Sequence, residues 1–233
     1  MIFSFGPEGW GDELARGAAL TVALACATLP VGLAVGLAVA LAKDSRSPAR
    51  RMIGEAYTTI FRGIPELLTL LLIYYGAQIA LDSAAEATGI PFNFPIPPFA
   101  AGVLALGLVF GAYSSEVMLA ALRGVERGQI EAAASFGMSE ALVFRRVTLP
   151  QMLRLALPGL GNNWLVLLKD TSLVSVIALN ELTRMANIAV GASKQPFTLY
   201  SAAAAIYLAL TAVSMLALTF LERRAAAGVG GGR

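Results

Sequence analysis

The sequence predicts an all-α membrane protein with five transmembrane helices, and three observations lead to that fold class. First, 57% of the 233 residues are hydrophobic and only 14% are charged. The mean hydropathy of +0.71 is correspondingly far above that of an ordinary soluble domain. Second, five stretches are apolar over about 20 residues, the length that an α-helix needs to cross a bilayer. Third, lysine and arginine are concentrated on one side of those stretches.

The five predicted transmembrane helices have long runs without charge. They cover residues 20–41, 58–81, 99–122, 155–180 and 200–221. The first and the fifth are free of charged residues. The second carries Arg62 and Glu66 near its start, and the third has Glu116 near its far end. The fourth is interrupted by Lys169 and Asp170.

The distribution of basic residues predicts the orientation. Of the 17 lysine and arginine residues, 13 fall on one side of the predicted membrane: Lys43, Arg46, Arg50, Arg51, Arg62, Arg123, Arg127, Arg145, Arg146, Arg154, Arg223, Arg224 and Arg233. The other side holds Arg16, Arg184 and Lys194. Because basic residues are retained in the cytoplasm, we expect the N-terminus outside and the C-terminus in the cytoplasm. The N-terminus lacks a basic region and a small-residue cleavage site, so we expect the first helix to stay in the membrane.

The composition argues against most enzyme classes. The chain has no histidine, which removes the commonest general base and metal ligand. Its one cysteine, Cys26, cannot form an intrachain disulfide or a cysteine zinc site. A net charge of +2 gives no electrostatic footprint for nucleic acid. The pattern GxxxxGK[ST] is missing, so no phosphate-binding loop is present. We therefore expect no catalytic residue, no metal and no cofactor on this chain.

The loop between the third and fourth helices, residues 123–152, is too long for a simple turn and too apolar for a solvated linker. We expect a short helix over 131–136, ended by Gly137, and a second helix with Ser139 at its N-cap. An apolar surface with a charged rim is typical of a docking site for a partner protein. The side chains expected to face the cytoplasm are Ala133, Phe136, Met138 and Leu142.

The same loop resembles the EAA signature of permease subunits of ATP-binding-cassette (ABC) importers. The matching residues are Glu131, Ala132, Ala133, Gly137, Val147, Leu149 and Pro150, with valine in place of the usual isoleucine. Segments 61–65, 71–76, 157–163 and 167–175 are similar to polar amino acid permeases. Segments 196–200 and 221–224 resemble the branch that handles histidine, arginine, ornithine or opines.

The resemblance implies a type I ABC importer permease fold over residues 1–224, with 225–233 as a flexible tail. It implies a bacterial inner-membrane subunit that imports polar amino acids, of the basic or opine class. The implied partners are an ABC ATPase dimer that binds ATP and Mg²⁺, a related but distinct second permease, and a periplasmic substrate-binding protein. The residues implied to couple to the ATPase are Glu131, Ala132, Ala133, Phe136, Gly137, Met138 and Leu142.

Polar residues within the predicted helices are candidates for the substrate pathway. A charge inside a span costs about 2.5–3.5 kcal/mol and usually faces a bundle interior or a wet cavity. Asn163 and Asp170 are seven residues apart and share a helix face. The complete predicted pathway set is Asn162, Asn163, Asp170, Lys169 and Glu116. The same residues could instead bridge neighbouring helices or the second permease, and sequence alone leaves both interpretations open.

One predicted pathway residue departs from the family pattern. Many permeases that this chain resembles carry glutamate at the position of Asn163. If the substrate is cationic, either Asp170 or the second permease must therefore supply the negative charge, or the ligand is carried in an asymmetric site.

Two other classes of protein are alternatives. An ion-gradient-driven secondary transporter or channel fits an apolar chain, but such proteins usually have internal repeats and more than five spans. An intramembrane hydrolase would need a nucleophile with a base, or a metal pair, and this chain offers neither histidine nor clustered carboxylates.

Overall fold

The computed structural model describes residues 2–6, 9–89 and 95–227. Within them the chain is almost entirely helical. The α-helices are α1 (Gly11–Asp44), α2 (Pro48–Gly63), α3 (Glu66–Thr88), α4 (Pro98–Arg123), α5 (Arg127–Ser135), α6 (Glu140–Val143), α7 (Leu149–Asp170), α8 (Leu182–Ser193) and α9 (Pro196–Ala227). A π-helical turn, Phe144–Thr148, joins α6 to α7, and a 3₁₀ segment, Thr171–Ile177, follows α7. The predicted tail, 225–233, extends past the described residues.

Helices α1 and α4 form the centre of the bundle and pack against each other along most of their length. Small residues allow this close approach, as is common in membrane helices. A Cβ added at Gly36 of α1 would lie 3.1 Å from the Cβ of Ser114, and one at Gly111 of α4 would lie 2.8 Å from Cγ1 of Val35. Larger side chains at these two glycines would force the central helices apart.

The predicted second helix, 58–81, is not one continuous helix. Helix α2 ends at Gly63 and α3 begins at Glu66. Pro65 explains the break, because proline cannot donate a backbone hydrogen bond and disfavours helical geometry in the residue before it. Ile64 is accordingly extended, with φ −94° and ψ 135°. Residues 58–63 therefore belong to α2, which packs against α1 and α4.

Four of the described helices are long and apolar enough to cross a membrane: α1, α3, α4 and α9. Helix α7 overlaps the predicted fourth span, 155–180, but carries Arg154, Lys169 and Asp170 and is not in that set. Its α-helical part ends at Asp170, ten residues before the predicted end, because the chain tightens into the 3₁₀ segment.

Helix α8 lies where the sequence predicts only a connection between the last two spans. Its N-cap is Glu181, which is fully buried and accepts hydrogen bonds from the backbone N–H groups of Thr183 (2.8 Å) and Arg184 (2.7 Å). The Tyr207 hydroxyl of α9 donates to the same carboxylate at 3.1 Å. Burial raises the pKa of the Glu181 carboxyl, against the effect of these donors. The cap thereby ties α8 to α9.

Candidate functional site

A cavity of about 280 Å³ lies between α3, α4 and α7. Its polar lining residues are Glu66, Tyr113, Asn162, Asn163 and Asp170, and the remaining lining side chains are apolar. Ligand pockets usually combine an apolar wall with a few polar groups in this way and begin at about 300 Å³. The cavity is therefore of a size for a small solute.

Helix α7 provides three of the polar lining residues, and all three were predicted for the pathway. Asn163 and Asp170 fall on one face of α7 because seven residues make nearly two turns. Asn162 is exposed, and Nδ2 of Asn163 donates to the Ser114 hydroxyl of α4 at 3.4 Å. The described contacts of Asp170 include no ion pair. Its half-buried carboxylate thus faces the cavity without a paired cation.

Lys169 is placed differently from its neighbour. Its side chain is exposed, and it does not line the cavity. Adjacent residues on a helix point about 100° apart, so the helix that turns Asp170 into the cavity turns Lys169 away from it.

Glu116 also lies outside the cavity, in an ion cluster formed by α1, α2 and α4. Lys43 Nζ contacts Glu116 Oε1 at 2.6 Å and Glu55 Oε2 at 3.1 Å, and Arg62 contacts Glu116 Oε1 at 3.3 Å. The Thr58 hydroxyl lies 3.2 Å from Lys43 Nζ. Lys43 is only 3% exposed, so this cluster neutralises a buried cation and fixes three helices to one another.

A short chain of contacts connects the ion cluster to the cavity. The guanidinium of Arg62 lies 5.5 Å from the centre of the Tyr113 ring, a cation–π contact. The Tyr113 hydroxyl in turn donates to Glu66 Oε1 at 3.4 Å. Arg62 pairs with Glu116 and forms no ion pair with Glu66 among the described contacts, because the break at Pro65 puts the two residues on different helices.

Glu66 is the charged lining residue that the predicted pathway set does not include, and Tyr113 also lies outside that set. The sequence signal that could have identified Glu66 is a carboxylate within an apolar stretch. The break at Pro65 makes it the first residue of α3, and only in three dimensions does that position approach Asp170 and Tyr113.

The segment proposed for docking forms two short helices around a bend. Gly137 has φ +78°, in the left-handed region that suits glycine. Phe136 is 87% exposed, Glu131 and Ala132 are exposed, and Met138 and Leu142 are partly exposed. Ala133 differs from the expectation that it faces the cytoplasm. It is buried, because α5 packs against α6 and the π-helical turn.

Comparison with known proteins finds similar membrane proteins of transport systems along nearly the whole chain. The family described as binding-protein-dependent transport system inner membrane component matches residues 16–227. The nopaline transport system permease protein NocQ of Agrobacterium fabrum is 45% identical over 229 residues, covering 98% of this chain and 97% of that protein. The histidine/lysine/arginine/ornithine transport system permease protein HisQ of Escherichia coli is 41% identical over 221 residues, covering 95% and 96%.

The fold is similar to that of a solved transporter structure. A chain from the crystal structure of an amino acid ABC transporter with histidines has a TM-score of 0.76 and 35% identity. The match covers 92% of this chain and 95% of that one.

Proposed function

Because this chain belongs to the binding-protein-dependent transport system inner membrane components, we propose that it is the permease subunit of an ABC importer for basic amino acids or opines. A second, related permease completes the membrane domain. A cytoplasmic ATPase dimer binds ATP and Mg²⁺, and a periplasmic binding protein delivers the substrate. The relatives named above, which carry nopaline or histidine, lysine, arginine and ornithine, support this substrate class.

The observation that carries the proposal is the charge of the cavity. Asp170 and Glu66 both line it, and neither forms an ion pair with a described residue. A basic amino acid brings two cationic groups and one carboxylate. The two carboxylates of the cavity match the cations, while the exposed amide of Asn162 can donate to the substrate carboxylate. A substrate without a cationic side chain, such as glutamate, would be repelled by the two carboxylates.

In this proposal α7 is also a membrane span, the fourth along the chain, and brings the number of spans to five. Its 22 residues reach about 33 Å at a rise of 1.5 Å per residue, enough for a hydrocarbon core of about 30 Å. Its polar side chains make it less apolar than the other four, as expected for a helix that lines a wet pathway. The N-terminus is then outside and the C-terminus in the cytoplasm, in line with the distribution of basic residues.

The segment from Glu131 to Leu142 is proposed as the coupling element. An exposed Phe136 beside a bend at Gly137 gives it an apolar knob of the kind that fits a groove on a partner. Closure of the ATPase dimer would move this knob and tilt the membrane helices between outward-open and inward-open states.

The substrate proposal is tested by uptake into vesicles that contain the complete transporter and its binding protein. We expect ATP-dependent uptake of radiolabelled arginine and no uptake of glutamate. Uptake that follows an ion gradient in the absence of ATP would instead favour the secondary-transporter alternative.

The coupling proposal is tested with a pair of glycine variants. Gly137→Val forces a β-branched residue into φ +78°, which strains the bend. It should lower the amount of substrate taken up per ATP hydrolysed by about tenfold, equivalent to about 1.4 kcal/mol of coupling free energy. Gly128→Val is the control, because Gly128 lies in the same loop without a positive φ and without a neighbour within 4 Å. Equal coupling ratios in the two variants would reject the coupling role of the bend.

A further inference from the structure

A second cavity lies on the opposite side of α7 from the polar cavity. This groove, formed by α1, α7 and α9, has a volume of about 400 Å³. Its lining is almost entirely apolar, and Leu33, Leu160, Trp164, Val213 and Leu218 are typical members. A groove of this composition suits a hydrocarbon chain and offers almost nothing to a polar solute.

The two cavities use different faces of α7. Asn163, Val166 and Asp170 line the polar cavity, whereas Leu157 and Trp164 line the groove. At 100° per residue these two rows point well apart. The polar cavity and the groove therefore open on different sides of α7.

On both α7 and α9, an arginine lies just beyond the last groove-lining residue at one end of the groove. Arg154 precedes Leu157 by three residues on α7, and Arg224 follows Leu221 by three residues on α9, so each lies on the groove side of its helix. Helices α7 and α9 run in opposite directions along the groove, since Gly161 lies against Leu218 and the earlier α9 residue Tyr207 donates a hydrogen bond to Glu181, beyond the end of α7. Leu157 and Leu221 therefore lie at the same end. Both arginines are exposed, and no described residue forms an ion pair with either.

The neighbours of Arg224 show how specific this placement is. Arg223 is also exposed, but it lies about 100° away around the helix and on the far side from the groove. Glu222, two residues from Arg224, projects to another face of α9. The mouth of the groove therefore has two positive charges of this chain, at the end that the charge distribution assigns to the cytoplasm.

We propose that the groove binds an acyl chain of an anionic phospholipid from the cytoplasmic leaflet, with the lipid phosphate between Arg154 and Arg224. Apolar contact along the groove holds the chain, and two guanidinium groups select the anionic headgroup. A neutral lipid would satisfy the groove and leave both charges unmatched. A helix of the second permease would cover the groove and exclude lipid.

Trp164 provides a reporter inside the groove. The chain has two tryptophans, Trp10 and Trp164. In the assembled transporter, the signal of Trp164 is the difference between the fluorescence of the Trp10→Phe variant and that of the Trp10→Phe/Trp164→Phe variant. Quenching is then compared in vesicles whose phosphatidylglycerol or phosphatidylcholine carries bromine on its acyl chains.

We expect brominated phosphatidylglycerol to quench Trp164 at least threefold more effectively than brominated phosphatidylcholine at equal mole fraction. Arg154→Gln/Arg224→Gln should abolish that preference, and the matched variant Arg223→Gln should keep it. Equal quenching by the two lipids would overturn the headgroup selection. No quenching by either lipid would show that protein covers the groove and would overturn the proposal as a whole. Neither result bears on arginine uptake, so this proposal and the proposed transport function fail separately.

Discussion

Glu116 and Asp170 are both carboxylates within the helical bundle, and their surroundings differ in one respect. Glu116 contacts two cations, Lys43 at 2.6 Å and Arg62 at 3.3 Å. Asp170 lines a cavity and pairs with no cation among the described residues. A carboxylate that is already neutralised stabilises the fold, whereas one that is not remains free to bind a cationic solute. Sequence places both residues in one class, and the structure separates them.

The largest expected effect comes from removing the unpaired charge. Asp170→Asn keeps the size of the side chain and loses the charge, which should cost about 1.5–3 kcal/mol of substrate binding, or about 10- to 100-fold in affinity. The measurement is the KM for arginine uptake in reconstituted vesicles. Asp82→Asn is the control, because Asp82 is exposed, does not line the cavity, and accepts a hydrogen bond from Gln78 at 3.0 Å. An unchanged KM would assign Asp170 a structural role.

Breaking the ion cluster should instead affect stability. Lys43→Met leaves Glu116 with Arg62 as its one basic partner and removes a buried charge that joins three helices. We expect the free energy of unfolding to fall by about 2 kcal/mol. This is less than the loss for a fully buried pair, because Glu116 is partly exposed. The thermal midpoint of the solubilised transporter should fall by several degrees.

The double variant Lys43→Met/Glu116→Gln sharpens this result. It also removes the remaining ion pair between Glu116 and Arg62, so the thermal midpoint should fall at least as far as in Lys43→Met alone. The KM for arginine should stay near the wild-type value in both variants. A tenfold change in KM in either variant, with unchanged stability, would erase the distinction between Glu116 and Asp170.

The effect of changing Glu66 on the KM for arginine is expected to lie between the large effect at Asp170 and the absence of an effect at Glu116. Glu66 lines the cavity, but it already accepts a hydrogen bond from Tyr113, whose ring contacts Arg62. Glu66→Gln should therefore raise the KM for arginine by about tenfold, or about 1.4 kcal/mol, less than Asp170→Asn. The matched variant Tyr113→Phe removes the hydroxyl and leaves the carboxylate. An effect of Glu66→Gln larger than that of Asp170→Asn would make Glu66 the principal counter-ion.

The smallest expected effect comes from adding a charge. Asn163→Glu places a third carboxylate near Asp170, and it loses the amide that donates to Ser114. Attraction for a cationic side chain should lower the KM for arginine by about fivefold, or about 1 kcal/mol. Asn163→Gln keeps the amide and lengthens the side chain, so it is the control. A raised KM in Asn163→Glu alone would indicate that Asn163 contacts the substrate carboxylate.

The family and the apolar helices could be predicted from sequence because their signals are local. A run of apolar residues predicts a membrane helix wherever it lies, and the EAA spacing is read directly along the chain. Helix α4 spans Pro98–Arg123, one residue longer at each end than its predicted range. The break before α3 was also readable in principle, since Pro65 stands inside the predicted helix 58–81 and proline interrupts helices.

The partners of polar side chains could not be predicted in the same way. Lys43 and Glu116 are 73 residues apart, so only the packing of α1 against α4 brings them together. The burial of Ala133 depends on how α5 meets the π-helical turn, and helix α8 is amphipathic and short in a segment that lacks a full apolar run. Sequence thus identifies which polar residues are unusual, and tertiary structure decides which of them are neutralised.

The π-helical turn at Phe144–Thr148 has a mechanical consequence. It leaves the backbone helical at every residue from Glu140, beside the exposed bend, to Asp170 at the polar cavity. The places along this stretch where the helix bends most readily are the wider π turn and Pro158, which stands inside α7 and lacks a backbone N–H. In the proposed coupling, a push on the exposed bend travels along one unbroken helical backbone to Asp170, and the π turn and Pro158 set how far the helix flexes on the way.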